Sequence, residues 1–177
     1  MKPIYIENFA VDFADEALGP SMGWTRRTDT RKEQFWATTD QHYAYGTGRG
    51  VRSYSSVPEH TIVTAIRRRL LYFGTRHNVC FGNRYEDERQ HLGWHSDDSP
   101  SLDPNHWIDV VTFGWCREIQ IRPLGFKGQI PSEWRFPLAN GSLFRMPAGM
   151  QATHQHRIPK HGAPCGPRVS FTYRRTL

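Results

Sequence analysis

The chain has 177 residues, 37% of them hydrophobic and 13% aromatic, enough for one packed core and too few for two. This composition excludes a disordered chain, and no apolar run approaches the length of a membrane span. A net charge of +6 makes an anionic partner such as nucleic acid worth testing, and three scattered cysteines without a CxxC pair exclude a disulfide scaffold or a thiolate zinc site.

In chain order, MKPIYIENF is a candidate strand, and DFADEALGPSMG is a short helix stopping near Gly19-Pro20. The opening residues carry no signal-peptide pattern, so a cytoplasmic, reducing compartment is expected. HYAYGTGRGVRSYSS sets alternating aromatics around a glycine-rich turn and predicts a hairpin or a loop beside one. Pro58 then starts the strongest helix, PEHTIVTAIRRRLLYFG, with Ile62, Ile66, Leu70 and Phe73 on one stripe and Gly74 closing it. Arg67, Arg68 and Arg69 cover adjacent positions of that helix and read as a solvated face.

The second half predicts short strands: NVCFGNRY, WIDVVTFG, REIQIRPL, GSLFRMPAG, QATHQHRI and RVSFTYRR. Glycine and proline punctuate them in the manner of a sandwich or barrel. The expectation is a single α+β domain, in which residues 1–74 form an N-terminal extension and lid and residues 75–177 form the β-rich half.

Four small patterns could carry chemistry. In His95-Ser96-Asp97, an extended backbone turns positions i and i+2 to the same side, giving two legs of an Fe(II) facial triad. A further histidine must come from elsewhere, and His154 and His156 are both offered by QATHQHRIPK. In Arg168–Arg174, alternation puts Arg168, Ser170, Thr172 and Arg174 on one face and Val169, Phe171 and Tyr173 on the other. Two arginines facing a barrel interior require an anion, and a small dicarboxylate would serve. Asn83 and Tyr85 share a face and could hydrogen-bond a carboxylate or keto group. Each pattern alone is common: H-x-D is usually surface, a tyrosine in a strand is usually core.

Taken in order, N-x-Y, H-x-D, Q-x-x-H-x-H-x-x-P-K and R-x-S-x-T-x-R resemble the AlkB family of Fe(II)- and 2-oxoglutarate-dependent dioxygenases, with supporting fragments NRYEDERQHLGWHSDD, IDVVTFG and GSLFRM. The resemblance runs from about Tyr43 to Arg174. It implies a double-stranded β-helix (jelly-roll) core with an N-terminal helical and hairpin nucleotide-recognition lid. It implies Fe(II) held by His95, Asp97 and His156, since the family's distal histidine stands three before the proline of HRIPK, which leaves His154 without an assigned role. For 2-oxoglutarate it assigns Arg168 and Tyr85 to the distal carboxylate, with Asn83, Ser170 and Arg174 around the keto-acid end.

The implied activity is oxidative demethylation of N-alkylated bases in single-stranded or base-flipped DNA or RNA, using Fe(II), 2-oxoglutarate and O2, by a monomer. Tyr43, Tyr45, Arg52 and Tyr54 are the candidate base and backbone contacts, set against a reading of the tyrosines as lid core. Family members often carry an acidic residue two after the iron aspartate, and here Ser99 stands there. The alternatives are an AlkB-like hydroxylase or demethylase acting on a protein or other substrate, and a non-catalytic nucleic-acid-binding module. An intact set of metal and co-substrate residues weighs against the second.

Overall fold

Strands whose side chains alternate between apolar and polar bury one face each, and two such sheets stacked face to face are the simplest way to do so. The computed structural model describes residues 2–45 and 51–177, with the side chains of Arg26, Arg27 and Tyr45 outside that description. In chain order it contains β1 (Ile4–Ile6), α1 (Ala14–Leu18), β2 (Thr25–Thr28), β3 (Arg31–Ala37), β4 (His42–Tyr45), β5 (Arg52–Ser55), β6 (Val57–Pro58) and α2 (Thr61–Leu70). There follow β7 (Val79–Tyr85), β8 (Leu92–His95), β9 (Ile108–Gly114), β10 (Arg117–Pro123), β11 (Arg135–Leu138), β12 (Ser142–Met146), β13 (His154–Ile158) and β14 (Arg168–Arg174).

The major sheet has the order β1-β12-β9-β14-β7-β3-β2, with β6 parallel to β3 at its side. The minor sheet runs β11-β10-β13-β8, and β4 pairs with β5 as a separate hairpin. This is the jelly roll expected, and α+β describes it. Strands β1, β2 and β3 of the first half are built into the major sheet beside those of the second half.

The alternation expected of β14 is observed: Val169, Phe171 and Tyr173 join the core behind the major sheet. There α2 packs Ile62, Val63, Ile66 and Leu70 against Trp36, Cys80, Val111 and Phe113. A second core of Val110, Ile119, Ile121, Leu138, Phe144 and Ile158 fills the space between the sheets. A third, with Phe35, Phe81, Tyr43 and Tyr54, lies under the hairpin. Among the described residues no helix is long and apolar enough to cross a membrane.

The helix differs from expectation at both ends. Pro58 belongs to β6 instead of starting α2, which begins at Thr61, where the His60 ring accepts from the Ile62 N–H. The apolar stripe stops at Leu70; Phe73 is exposed, and Gly74 ends the following 3-10 turn with φ +76°. The arginines are also less solvated than expected. Arg67 grips Glu59 through Nε and Nη2, and Arg69 grips Asp12, so only Arg68 is left exposed on that face.

Gly82 in β7 is a close approach: a Cβ there would sit 2.5 Å from Cζ3 of Trp36 and 2.8 Å from Cζ3 of Trp24. Gly82→Ala is therefore expected to cost about 1–3 kcal/mol by overpacking. Urea denaturation checks this, and an unchanged midpoint would mean that the tryptophans yield without strain.

Candidate metal centre

Cross-strand pairing brings the two histidines together. β8 and β13 run antiparallel with His95 directly opposite His156, so both side chains point into the space between the sheets. Their ring centroids lie 4.1 Å apart. Asp97 follows two residues beyond the end of β8, where its N–H donates to Gln151 Oε1 at 2.9 Å and the neighbouring Ser96 hydroxyl donates to the His154 carbonyl at 2.9 Å. Ligand atoms of His95, Asp97 and His156 all lie within 4.8 Å of one another.

Arg117 holds the two histidine strands from behind. It is buried and donates to the carbonyls of Asp87, Gln90 and Pro159, at 3.3, 2.9 and 2.6 Å. These carbonyls belong to the segment entering β8 and the segment leaving β13.

Protonation favours metal binding. Burial pushes the His156 imidazole down to about 3, helped by His95 beside it, so its ring is neutral at physiological pH. Burial also lowers His95, with Asp97 opposing. The His95 Nδ1 faces the Gly93 carbonyl at 2.8 Å; a carbonyl can only accept, so Nδ1 carries the proton and Nε2 the lone pair. Burial alone would raise the Asp97 carboxyl, yet Arg174, His156 and His95 together bring it down to about 2. Arg174 donates to Asp97 Oδ2 through Nε at 3.1 Å and Nη2 at 2.8 Å. The other oxygen, Oδ1, is buried without a hydrogen-bond partner and lies 3.7 Å from His95 Nε2. Two neutral imidazoles and one carboxylate with an unengaged oxygen are the donor set of a non-haem Fe(II) centre. The residues fit the metal.

The inner face of the major sheet supplies the second half of the site. Register places Glu33, Asn83, Ser170 and Thr112 in one row across β3, β7, β14 and β9. Asn83, Tyr85, Arg168, Ser170, Thr172 and Arg174 line one cavity with His95 and His156, walled by Leu92, Val110, Ile119, Leu138 and Ile158. Arg168 is 1% exposed and spends a single bond, Nη2 to Thr112 Oγ1 at 3.1 Å. Its Nε and Nη1 are buried with no hydrogen-bond partner. Burial pulls this guanidinium down to about 10, with Tyr85 opposing from a ring centroid 5.2 Å away. A buried cation with two idle donors fits a carboxylate. The residues therefore fit 2-oxoglutarate as well.

The hairpin residues divide. Tyr43 and Tyr54 are 2% and 4% exposed and belong to the third core, yet both border a cleft shared with Asn83, His95, Asp97 and Arg174. The Tyr43 hydroxyl is buried without a hydrogen-bond partner, and burial raises it to about 12. The Tyr54 hydroxyl donates to Glu33 Oε2 at 2.7 Å, and Arg52, half exposed, lies 3.6 Å from Glu33 Oε1. The Tyr45 side chain and the glycine-rich turn lie outside the described residues. Ser99 borders a neighbouring pocket that shares Asp97 and Arg174 with that cleft and is lined also by Asp98, Leu102, His106 and Trp107, and its hydroxyl is 2.9 Å from that of Ser101. His154 stacks on Trp134 at 5.2 Å and bonds the Thr153 hydroxyl, apart from the metal ligands.

Sequence reasoning missed Arg31, Glu33, Thr112 and Gln151. Arg31 Nε donates to Asn83 Oδ1 at 2.9 Å, and Arg31 Nη2 meets Glu33 at 2.6 Å. The i, i+2 spacing of Arg31, Glu33 and Phe35 in β3 carries the signal that could have found two of them.

A family model described as 2OG-Fe(II) oxygenase superfamily matches residues 18–174. The chain is 36% identical over 108 residues to human DNA oxidative demethylase ALKBH2, covering 59% of this chain and 41% of that protein. It is 27% identical over 186 residues to human alpha-ketoglutarate-dependent dioxygenase alkB homolog 3, covering 97% of this chain and 64% of that protein. The chain thus spans about half the length of the curated relatives it matches. The solved structure of OsALKBH1 superposes with a TM-score of 0.64 at 13% identity, over 98% of this chain and 96% of that chain, a likeness of fold.

Proposed function

We propose that this chain, which belongs to the 2OG-Fe(II) oxygenase superfamily and within it to the AlkB family, oxidatively demethylates N-alkylated bases in single-stranded DNA or RNA. The observation that carries this reading is one cavity joining His95 and His156, two of the three residues of the donor set they form with Asp97, to the two idle nitrogens of Arg168. Bound Fe(II) and 2-oxoglutarate supply the O2-dependent oxidation of an N-methyl carbon, which leaves as formaldehyde. His95, Asp97 and His156 hold the metal. Arg168 and Tyr85 take the distal carboxylate of the co-substrate, and Asn83, Ser170 and Arg174 surround its keto-acid end.

The chain's own contribution is charge and dryness. Leu92, Val110, Ile119, Leu138 and Ile158 keep water from the cavity, which strengthens each ionic contact made inside it. The cleft bordered by Tyr43 and Tyr54 opens beside His95 and Asp97, where a flipped base would meet aromatic walls. Arg52 and the side chain of Tyr45 are assigned to the flanking backbone and base. Nucleic acid as the substrate is supported by the likeness to DNA oxidative demethylase ALKBH2 and by the net charge of +6. The reading carries with it a monomer in a reducing intracellular compartment, in keeping with free thiols at Cys80, Cys116 and Cys165.

Ser99 favours a second reading, in which the substrate is neutral or is not a nucleic acid, because a hydroxyl offers no charge to a cationic methylated base. One assay separates the two. Purified protein, Fe(II), ascorbate and 2-oxoglutarate are incubated with methylated single-stranded DNA and RNA oligonucleotides and followed by mass spectrometry. Loss of the methyl group with matching succinate is the expected result. A gain of one oxygen without loss points to a hydroxylase, and succinate formed with no dependence on nucleic acid sinks the substrate assignment.

A further inference from the structure

The outer face of the minor sheet carries a second, unassigned group of cations. On β8 the side chains alternate, so His95 points inward to the metal ligands while Trp94, one residue earlier, points out. Two guanidiniums lie on its indole: Arg122 of β10 with Cζ 4.1 Å from the ring centroid, and Arg157 of β13 at 4.6 Å. Among the described residues neither forms an ion pair, and Glu118 acts on Arg157 only from a distance. Arg122 donates to Gln155 Oε1 at 2.9 Å and Arg157 donates to Gln120 Oε1 at 2.8 Å, so a neutral amide occupies the place where a carboxylate would be expected. Two like charges gathered on one ring repel each other, and the proximity of Arg122 contributes to the lowering of the Arg157 pKa, after burial.

These residues line a groove with Lys127, Gln129 and Arg135 that contains no carboxylate among its described lining residues. The nearby Glu118 is engaged by Arg135 at 3.0 Å. Arg122, Arg157 and Lys127 thus leave a local surplus of positive charge around an aromatic plane. The complement of such a surface is a chain of regularly spaced anions with flat groups attached. β8 is also the edge strand of its sheet, so a strand leaving the cleft beside His95 can pass around that edge to Trp94 without crossing the fold.

We propose that the Trp94, Arg122, Arg157 and Lys127 surface binds the phosphodiester backbone of the same single strand whose target base enters the cleft. The inference rests on the nucleic-acid reading above. It assigns this face the part of the strand flanking the reacting nucleotide, and it makes affinity depend on substrate length.

The test uses the full chain loaded with Fe(II) and 2-oxoglutarate, a methylated trinucleotide, and a methylated single strand of about 20 nucleotides, longer than one binding surface needs. Arg122→Gln with Arg157→Gln is expected to lower the slope of log affinity against log salt by about 1.4, about 0.7 for each phosphate no longer neutralised. At 0.1 M salt, relative to 1 M where this term vanishes, this is roughly a 25-fold weakening for the long strand. KM for the long strand rises accordingly, and the trinucleotide, too short to reach the outer face, shows no such rise. Lys127→Glu, at an exposed loop position, repeats the effect in smaller degree and serves if the double variant folds poorly. An unchanged salt slope and KM for the long strand, in variants and a wild type that both demethylate it, overturns the surface assignment and leaves the function standing. A wild type that neither binds nor demethylates any oligonucleotide overturns both. Tighter binding to phosphatidylserine vesicles than to the oligonucleotide at equal salt, abolished by the same variants, would reassign the face to a lipid surface and reject the proposal.

Discussion

Asp97→Ala is expected to abolish Fe(II)-dependent turnover and, in the same protein, to lower the free energy of unfolding by about 3–5 kcal/mol. The first effect follows from its place in the donor set. Changing the outer partners of metal ligands typically costs about 10- to 100-fold, so loss of a ligand itself should exceed about 100-fold. The second follows from Arg174, whose side chain is 7% exposed and donates twice to Asp97 Oδ2. Removing the carboxylate takes from that buried guanidinium the counter-charge that Asp97 supplies.

His95→Ala is the informative contrast. It removes a ligand of equal standing but leaves the Asp97–Arg174 pair in place, so it should cost an ordinary about 1 kcal/mol while turnover is lost to the same degree. The pair also has a pH signature. The Asp97 carboxyl falls from 3.8 to about 2 on folding, so its contribution is fully present above pH 3.8 and is lost as pH falls through about 2. Asp97→Ala flattens stability across that window. Urea unfolding of both variants and the wild type, with turnover measured in parallel, checks the set. Equal stability of the two variants would refute the buried-pair account, and retained turnover in either would refute the ligand assignment.

Arg168→Met is expected to move affinity and stability in opposite directions. Truncating one partner of a buried, hydrogen-bonded charge pair costs about 2–5 kcal/mol, which is roughly 30- to 5,000-fold in 2-oxoglutarate affinity. The free chain, by contrast, should become more stable. Its guanidinium is lowered to about 10 by burial and so is still charged at neutral pH, where the folded protein carries the whole cost of that burial. Methionine keeps most of the volume and removes the charge. Titration of 2-oxoglutarate into the Fe(II)-loaded protein and thermal unfolding of the free protein give the two numbers. Loss of stability together with loss of affinity would mark Arg168 as a structural residue and not as the co-substrate's anchor.

Much of this site was legible because it lies on strands with clean alternation. RVSFTYR divides into an inner row of Arg168, Ser170, Thr172 and Arg174 and an outer row of Val169, Phe171 and Tyr173, and both rows are buried where period two puts them. His95 and His156 were legible as candidates but not as neighbours. Their meeting depends on the β8–β13 register, which no local pattern encodes. β3 was harder to read, since RKEQFWA puts charged residues at the buried positions Arg31 and Glu33 and ends in three consecutive buried residues, so its i, i+2 spacing carries no apolar alternation. Pro58 misled because a proline before an apolar stripe is a helix-start signal, and here pairing with β3 takes it into a strand. The arginines of α2 look solvated until Glu59 and Asp12 are brought to them by the fold.

The edge position of β8 has a consequence for the energetics of loading. Its register with β13 is anchored at His95↔His156 and Ile158↔Leu92 and breaks between them, so a short strand at the rim of a sheet is held by few backbone bonds. Such rims open at a fraction of the global unfolding free energy. An ion that binds His95 and His156 together also ties that rim to its neighbour, so part of the binding energy appears as local folding energy. Amide protons of Gly93 to His95 then exchange slowly in the loaded protein and quickly after chelation. The indole of Trp94, seated on the same strand, makes that fraying visible as a change in fluorescence.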